Sequence, residues 1–190
     1  MKILIIYAYP NHTGFNHIIE ENIIQHLSNQ NQIKVIDLYQ DHFDPVLHFD
    51  RKHRRRNLIY DPEIQKYCEL IKWSEKIIFI FPIWWSGMPA ILKGFIDRVF
   101  VKNFAYYYQG LFPIGLLKGR TAWIVNTNDT PMIYVKLFQQ DYGNVLKKQC
   151  LKMCGIKSIK HTSLYYMRGI SQQKRKRFLK RIAKIAECFR

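Results

Sequence analysis

Metal-binding and disulfide patterns are missing from this chain of 190 residues. Its four cysteines form no Cys-x-x-Cys pair, and no cysteine or histidine spacing matches a zinc site. No apolar run approaches the roughly 20 residues that a membrane span needs. The segment Met1–Tyr7 is too short for a signal peptide, lacks a small-residue cleavage site, and has the pattern of a first strand. We therefore expect a cytoplasmic protein with reduced, mostly buried thiols and without a metal site.

Acidic residues are also scarce, with 14 aspartates and glutamates against 30 lysines and arginines, which gives a net charge of +16. The cations concentrate in segments 51–56 and 174–181. Such a balance favours anionic partners: nucleic acid, an acidic membrane surface or a phosphorylated cofactor. A solvated basic face is the simpler interpretation. No motif that reads bases accompanies the charge, so we expect no specific nucleic-acid binding.

The stretch from residue 77 to residue 100 organises the rest of the chain. Ile77–Phe81 is an unbroken apolar run, typical of a strand buried on both faces of a parallel sheet. Pro82 stops this strand because proline has no N–H to donate. Trp84 and Trp85 follow in a turn, and Pro89 then begins a helix, a position that suits its fixed φ. Two indoles therefore lie at the carboxyl end of a central strand, where open α/β sheets bind ligands.

The adjacent tryptophans have two interpretations. Either could be a core residue, because indoles are usually well buried. In an extended segment, however, successive side chains face opposite ways, so Trp84 and Trp85 cannot both point inward. We therefore favour a platform for a flat aromatic ligand.

The remaining segments alternate between strand and helix patterns. Further predicted strands are Lys2–Tyr7, Ile33–Leu38, Thr121–Asn126 and Ser158–Leu164. Predicted helices are Phe15–Leu27, Pro62–Trp73, Pro89–Val99, most of Met132–Cys154 with Gly143 as an interruption, and a last helix capped by Ser171. Predicted loops are Tyr39–Tyr60, which we expect to be exposed, and the aromatic Asn103–Gly119. This alternation predicts a single α/β domain over residues 1–190: a flavodoxin-like, doubly wound parallel sheet of five strands in order 2-1-3-4-5, with helices on both faces.

Three loops meet at the ligand edge of that sheet. Tyr9–Phe15 joins a strand to a helix start, which favours a phosphate, although it is neither G-x-G-x-x-G nor a P-loop. Thr13 and Asn16 would add hydrogen bonds there, and His12 a hydrogen bond or a charge. Pro82–Met88 offers an aromatic plane, and Asn126–Pro131 offers polar groups for ring edges. Together the three loops predict a flavin nucleotide site.

The chain also resembles a known family over nearly its whole length. The run PIWWSGMPAILKGFIDRVF resembles the signature of NAD(P)H:quinone oxidoreductases of the DT-diaphorase type. That family includes modulator-of-drug-activity and general stress proteins, and ancillary subunits of potassium efflux systems. Tyr9-Pro10 with Thr13, Phe15 and Asn16 is similar to its phosphate loop.

The resemblance implies a set of roles. Residues around the flavin phosphate would be Tyr9, His12, Thr13, Phe15 and Asn16. Residues along the isoalloxazine would be Pro82, Ile83, Trp84, Trp85 and Ser86. Residues bordering its pyrimidine side would be Asn126, Thr127, Asn128 and Asp129. Residues facing the substrate would be Tyr106, Tyr108 and Tyr134, with Tyr134 as the catalytic hydrogen-bond donor to the acceptor.

Two positions depart from the family pattern. Some relatives have histidine where this chain has Gln140, which cannot become cationic. The turn at Asn128-Asp129 is often Gly-Gly in relatives, and we expect the Asp129 carboxylate to face outward, because inward it would oppose a reduced, anionic flavin.

The implied activity is ping-pong hydride transfer from NADPH or NADH, through FAD or alternatively FMN, to a quinone-like acceptor in a homodimer. One alternative is a regulatory ancillary subunit of a potassium efflux transporter, for which the basic surface would suit an anionic membrane or a transporter subunit. A one-electron carrier like flavodoxin is less consistent with the basic charge and the aromatic loop.

Overall fold

The computed structural model describes residues 1–138, 141 and 143–189. Within this part of the chain, the strands are β1 (Lys2–Tyr7), β2 (Gln32–Asp37), β3 (Lys76–Pro82), β4 (Tyr106–Gln109), β5 (Phe112–Gly115), β6 (Thr121–Asn128) and β7 (Ser158–Tyr165). The α-helices are α1 (Phe15–His26), α2 (Pro62–Trp73), α3 (Ala90–Val99), α4 (Met132–Phe138) and α5 (Gln172–Glu187). A 3₁₀ segment (Arg55–Tyr60) and a π-helical segment (Val145–Leu151) complete the helical structure of the described residues.

Five parallel strands form the central sheet in the order β2-β1-β3-β6-β7. The predicted order 2-1-3-4-5 is confirmed, because β6 and β7 are the fourth and fifth strands of this sheet. Tyr7 pairs with Asp37 on one side and with Ile80 on the other, and Ile80 pairs with Val125. The strands therefore finish at one common edge, and the loops that leave them converge there.

Every residue of β3 is buried, as its apolar run predicts for a central strand. Phe79 faces the layer of α2 and α3, where Phe95 packs in the same core cluster. Ile80 faces the opposite layer, where Ile19 of α1 and Ile182 of α5 lie in a second cluster. Helices therefore cover both faces of the sheet, as predicted.

The segment Tyr39–Tyr60 is largely exposed, as predicted, but its first part is anchored to the core. Phe43 is buried, with its ring edge-on to Tyr67 of α2 and Phe95 of α3 at centroid distances of 5.4 and 5.5 Å. The last six residues of the segment form the 3₁₀ turn. The aromatic side chain of Phe43 therefore helps to fix the first part of the segment on the core.

Two other predicted boundaries differ. The loop Asn103–Gly119 contains an antiparallel hairpin of β4 and β5. Thr127 and Asn128 belong to strand β6 rather than to the turn after it. The predicted interruption of Met132–Cys154 at Gly143 is confirmed: α4 lies before it, the π-helical segment lies after it, and Gly143 has a φ of +100°, which a helix cannot accommodate. Among the described residues, no helix is long and apolar enough to cross a membrane.

Candidate functional site

A cleft opens at the edge where β1, β3 and β6 end. It consists of two adjoining cavities of about 370 and 540 Å³, which share Ile83, Trp84, Asn128, Asp129 and Arg168. All three predicted loops contribute to the first cavity: the predicted residues that line it are Tyr9, Phe15, Asn16, Pro82, Ile83, Trp84, Thr127, Asn128 and Asp129. Trp85 and Ser86 line the second cavity. The sheet topology thus places eleven of the predicted residues around one cleft.

The tryptophan pair lies in a tight turn closed by two backbone hydrogen bonds. The Trp84 N–H donates to the Gly87 carbonyl at 2.9 Å, and the Gly87 N–H donates back at 3.0 Å. Trp85 and Ser86 at the centre of the turn have φ values of +49° and +65°. This left-handed conformation normally belongs to glycine or asparagine, and costs other residues of order 1 to 3 kcal/mol each. Strained residues of this kind cluster at active sites and at ligand-binding turns.

Neither indole is in the core. Trp84 is partly exposed beside Tyr9, with ring centroids 6.1 Å apart, and it lines both cavities. Trp85 is fully exposed to solvent and lines only the second cavity. The prediction that both could not point inward is confirmed, although the cause is the turn rather than alternation along a strand.

The N-terminus of α1 opens towards the first cavity. Gly14 is its N-cap, and no side chain caps the helix. The first-turn residues Phe15 and Asn16 line the cavity. Thr127 of β6 donates to the Asn16 side chain at 3.1 Å, which fixes the start of α1 to the end of the central sheet. An uncapped helix start leaves backbone N–H groups and a partial positive charge for an anion.

Two residues predicted for the phosphate loop are held elsewhere. The His12 imidazole lies 2.5 Å from Asp37, which also accepts backbone N–H groups from Tyr39 and Gln40. The Thr13 hydroxyl donates to the Asn11 side chain at 2.7 Å. Neither His12 nor Thr13 lines either cavity.

Asn126 is the predicted pyrimidine-side residue that does not reach the cleft. It is buried, and its side-chain nitrogen lies 2.9 Å from the His161 imidazole on β7. Burial, with a smaller contribution from Lys147, lowers the pKa of His161 to about 4. His161 is therefore neutral at physiological pH and can accept the Asn126 hydrogen bond.

This buried histidine predicts a loss of stability in mild acid. The unfolded chain binds a proton at His161 near its ordinary pKa of about 6.5, whereas the folded chain does not until about 4. Stability is thus retained above the unfolded pKa and is lost as the pH falls towards the folded pKa. We expect His161 to lower the free energy of unfolding by about 2 kcal/mol between pH 7 and pH 5. Urea unfolding of His161→Gln should show a flatter pH dependence, and an unchanged slope would contradict this role.

The residues that sequence reasoning missed come from the connection between β7 and α5 and from the first turn of α5. Met167, Arg168 and Arg175 line the first cavity. The Asp129 carboxylate accepts the Arg168 backbone N–H at 3.0 Å and also pairs with its guanidinium. Asp129 is exposed, as expected, but it stays at the cleft mouth with its charge neutralised. The sequence could have indicated this fourth contribution to the cleft, because the predicted strand β7 ends at the same sheet edge as the three predicted loops.

Arg175 brings a second cation into the cleft. Its guanidinium donates to the Met167 carbonyl at 2.8 Å and lies 5.7 Å from the centre of the Phe15 ring. Its Nε is buried and has no hydrogen-bond partner within the described part of the chain. A buried N–H group without an acceptor costs about 1 to 3 kcal/mol. An anionic ligand in the first cavity would supply that acceptor.

The predicted substrate-side tyrosines lie away from these walls. Tyr106 and Tyr108 are on the hairpin strand β4, edge-on to each other with centroids 5.6 Å apart, and Tyr134 is exposed on α4. None of the three lines either cavity of its own chain. Gln140, the predicted departure from the family histidine, lies outside the described residues.

The sheet order, with a cleft at the carboxyl edge of the strands, defines a flavodoxin-like fold. A family model described as flavodoxin-like fold matches residues 1–186, and the chain belongs to that family. Its relatives include proteins named as NAD(P)H oxidoreductases and quinone reductases, so it is an oxidoreductase of this class.

Three relatives illustrate the class. A protein from Haemophilus influenzae, named as an uncharacterised NAD(P)H oxidoreductase, is 33% identical over 164 residues, which cover 84% of this chain and 81% of that protein. The crystal structure of Smu.1420 from Streptococcus mutans is 50% identical, with a TM-score of 0.95, and the match covers 98% of this chain and 99% of that one. An NAD(P)H:quinone oxidoreductase from Methanothermobacter marburgensis shares the fold at 23% identity, with a TM-score of 0.84 and coverage of 98% and 96%. Two further structures of this fold, 17% and 19% identical, were solved with FMN bound.

Proposed function

We propose that this protein is a flavin-dependent NAD(P)H oxidoreductase that reduces quinones or similar acceptors by two electrons in a ping-pong cycle. The observation that carries the proposal is the cleft itself. It brings an uncapped helix start, two arginines and an aromatic turn to one sheet edge. Together these features suit the phosphate and the ring of a flavin nucleotide.

The phosphate end would bind at α1 and α5. The α1 N-terminus offers free N–H groups next to Phe15, and Arg175 offers a buried N–H without an acceptor in the described chain. Both features favour an anion, and the arginine fork would add specificity for phosphate oxygens. The residues present therefore fit FAD or, alternatively, FMN.

The ring end would bind at the turn after β3. Trp84, at the junction of the two cavities, would set the ring plane. The Trp85 and Ser86 N–H groups are not used by the turn's two closing bonds, so they would be available to the polar edge of the ring. Donors fixed at a developing negative charge stabilise it as an oxyanion site does. Arg168 offsets the Asp129 carboxylate, so the acid adds little opposing charge.

When bound, the flavin would supply the centre that accepts a hydride from NADPH or NADH and passes two electrons to the acceptor. The protein's part is to hold the ring with one face open to both substrates in turn. The second cavity, between the Trp85 turn and Thr130, offers that space. Tyr134 would donate a hydrogen bond to the acceptor oxygen, and Tyr106 and Tyr108 would line the acceptor site.

These tyrosines would reach the site across a homodimer interface. The hairpin tip exposes Leu111 and Phe112, at 92% and 74%, and only Val135 of helix α4 is buried. Exposed apolar clusters of this kind usually mark contact surfaces. A twofold pair would cover them and place each hairpin beside the partner's cleft.

Light scattering should then give twice the chain mass, and Phe112→Glu should shift the protein towards monomer. A monomer at working concentration would contradict this arrangement.

Reconstitution tests the function directly. Apoprotein would be titrated with FMN, FAD and riboflavin, and the complex assayed for NADPH and NADH oxidation with and without a quinone. We expect tight binding of a phosphorylated flavin, weaker binding of riboflavin, and quinone-dependent turnover. Protein that binds neither flavin nucleotide would refute the proposal, and a bound flavin that no nicotinamide nucleotide reduces would refute the activity.

A further inference from the structure

The outward face of α5 is almost wholly cationic. Six of its lysines and arginines are exposed, and the helix has only one carboxylate. The exposed cations are Lys174, Lys176, Arg177, Lys180, Arg181 and Lys184. The opposite face, with Phe178 and Ile182, packs on the sheet. The cations therefore form a row along a helix of 16 residues, about 24 Å in length.

These cations lack counter-charges within the protein. Among the described residues, no carboxylate lies within 4.0 Å of any of them. Arg177 and Arg181 are four residues apart, as are Lys180 and Lys184, so like charges are neighbours on the helix surface. Such pairs destabilise a helix. An external polyanion would relieve this repulsion.

Arg177 and Arg181 form a ridge between two open clefts. One cleft has a volume of about 720 Å³. Its lining includes these two arginines, Lys160 of the edge strand β7, the apolar Ile185 and Cys188. The other, of about 440 Å³, has the same arginines at its side and a largely apolar lining that includes Ile170, Leu164 and Phe178. Positive charge and apolar surface thus alternate across the face.

We propose that this face binds the surface of an anionic phospholipid bilayer. The row of cations would meet lipid phosphates, and the apolar clefts beside Arg177 and Arg181 would accommodate the boundary between headgroups and acyl chains. The proposal does not depend on the flavin site, because neither arginine lines that cleft.

A membrane suits this face better than a nucleic acid does. Duplex recognition needs an element that enters a groove, but α5 is packed on the sheet and presents a straight outer face. Single-strand binding usually relies on aromatic side chains between the cations. The exposed face of α5 itself has none, and Tyr165 and Tyr166 lie in the cleft beside it rather than within the row of cations. A flat, extended array of phosphates matches the straight row.

The test is sedimentation of the full chain with vesicles of phosphatidylcholine alone or mixed equally with phosphatidylglycerol. We expect binding only to the anionic vesicles, and loss of binding at high salt because the contacts are exposed. The double variant Arg177→Glu/Arg181→Glu should lower the partition coefficient by about ten-fold or more, since two cations that attract anionic lipid are replaced by carboxylates that repel it. Unchanged circular dichroism and unchanged flavin binding would show that the variant remains folded.

A matched control variant distinguishes binding by the α5 face from an effect of net charge alone. Lys52→Glu/Arg54→Glu makes the same charge change in another exposed basic segment. It should retain most of the binding. The proposal would be overturned by equal losses in both variants, by equal binding to neutral vesicles, or by a duplex DNA that binds the α5 face more tightly than anionic vesicles do.

Discussion

The substitution Trp84→Ala is expected to weaken flavin binding by about ten-fold to a hundred-fold. This indole lies at the junction of both cavities and packs beside Tyr9, so its removal opens the floor on which the ring would lie. Aromatic stacking of a base contributes roughly 1 to 3 kcal/mol, and each 1.4 kcal/mol corresponds to a ten-fold change in affinity. Quenching of flavin fluorescence during titration of the apoprotein measures the dissociation constant.

The neighbouring Trp85→Ala variant is the matched control. It removes the same side chain from the same turn, and alanine is as strained as tryptophan at a φ of +49°. Because Trp85 lies in solvent and lines only the second cavity, its loss should weaken flavin binding less but should lower turnover. The platform role would be wrong if Trp84→Ala bound flavin as tightly as the native chain.

The substitution Gly94→Ala is expected to lower the free energy of unfolding by about 1 to 3 kcal/mol. Helix propensity alone predicts the opposite, a gain of about 1 kcal/mol, because Gly94 is inside α3. A Cβ at this position would, however, stand 2.3 Å from the Pro45 carbonyl oxygen and 2.5 Å from its Cα. The contact is with backbone, so α3 or the loop at Pro45 must move.

The loop that contains Pro45 cannot move easily to relieve this contact. Phe43 is fixed between α2 and α3, and Arg98 of α3 donates to the Asp44 carbonyl and pairs with Glu63 at 2.9 Å. Urea unfolding measures the effect. Lys93→Ala on the same helix removes an exposed ion pair with Asp97 and should cost only about 0.5 kcal/mol or less. A Gly94→Ala variant as stable as the native chain would show that α3 shifts freely.

The sheet could be predicted because its signal is local. Ile77–Phe81 is apolar at every position, and a strand buried on both faces is the simplest structure that hides all five side chains. Once the strands are ordered, the crossover rule brings their carboxyl ends together, so most of the cleft followed from sequence.

The β4–β5 hairpin was not predicted because its sequence contains a residue that argues against a strand. Pro113 lies within β5 opposite Tyr108, and proline argues against a strand unless the strand is at an edge. The two-stranded ribbon consists only of edges, so the objection does not apply to it. Gly110, with a φ of +61°, begins its turn.

Arg175 was missed for a different reason. In sequence it stands within a basic run, and its residue type does not separate it from Lys174 or Lys176. Only the helix geometry turns Arg175 towards Phe15 and the cleft while its neighbours face solvent. Periodicity could have suggested an inward arginine, but charge clustering favoured a shared surface role.

The left-handed turn at Trp85 and Ser86 has a consequence for engineering. Asparagine and glycine would relax this backbone, so Trp85→Asn with Ser86→Gly should emerge readily from any selection for heat resistance alone. The same exchange would erase the indole at the mouth of the second cavity. Directed evolution of this scaffold would therefore require a catalytic screen alongside the thermal one.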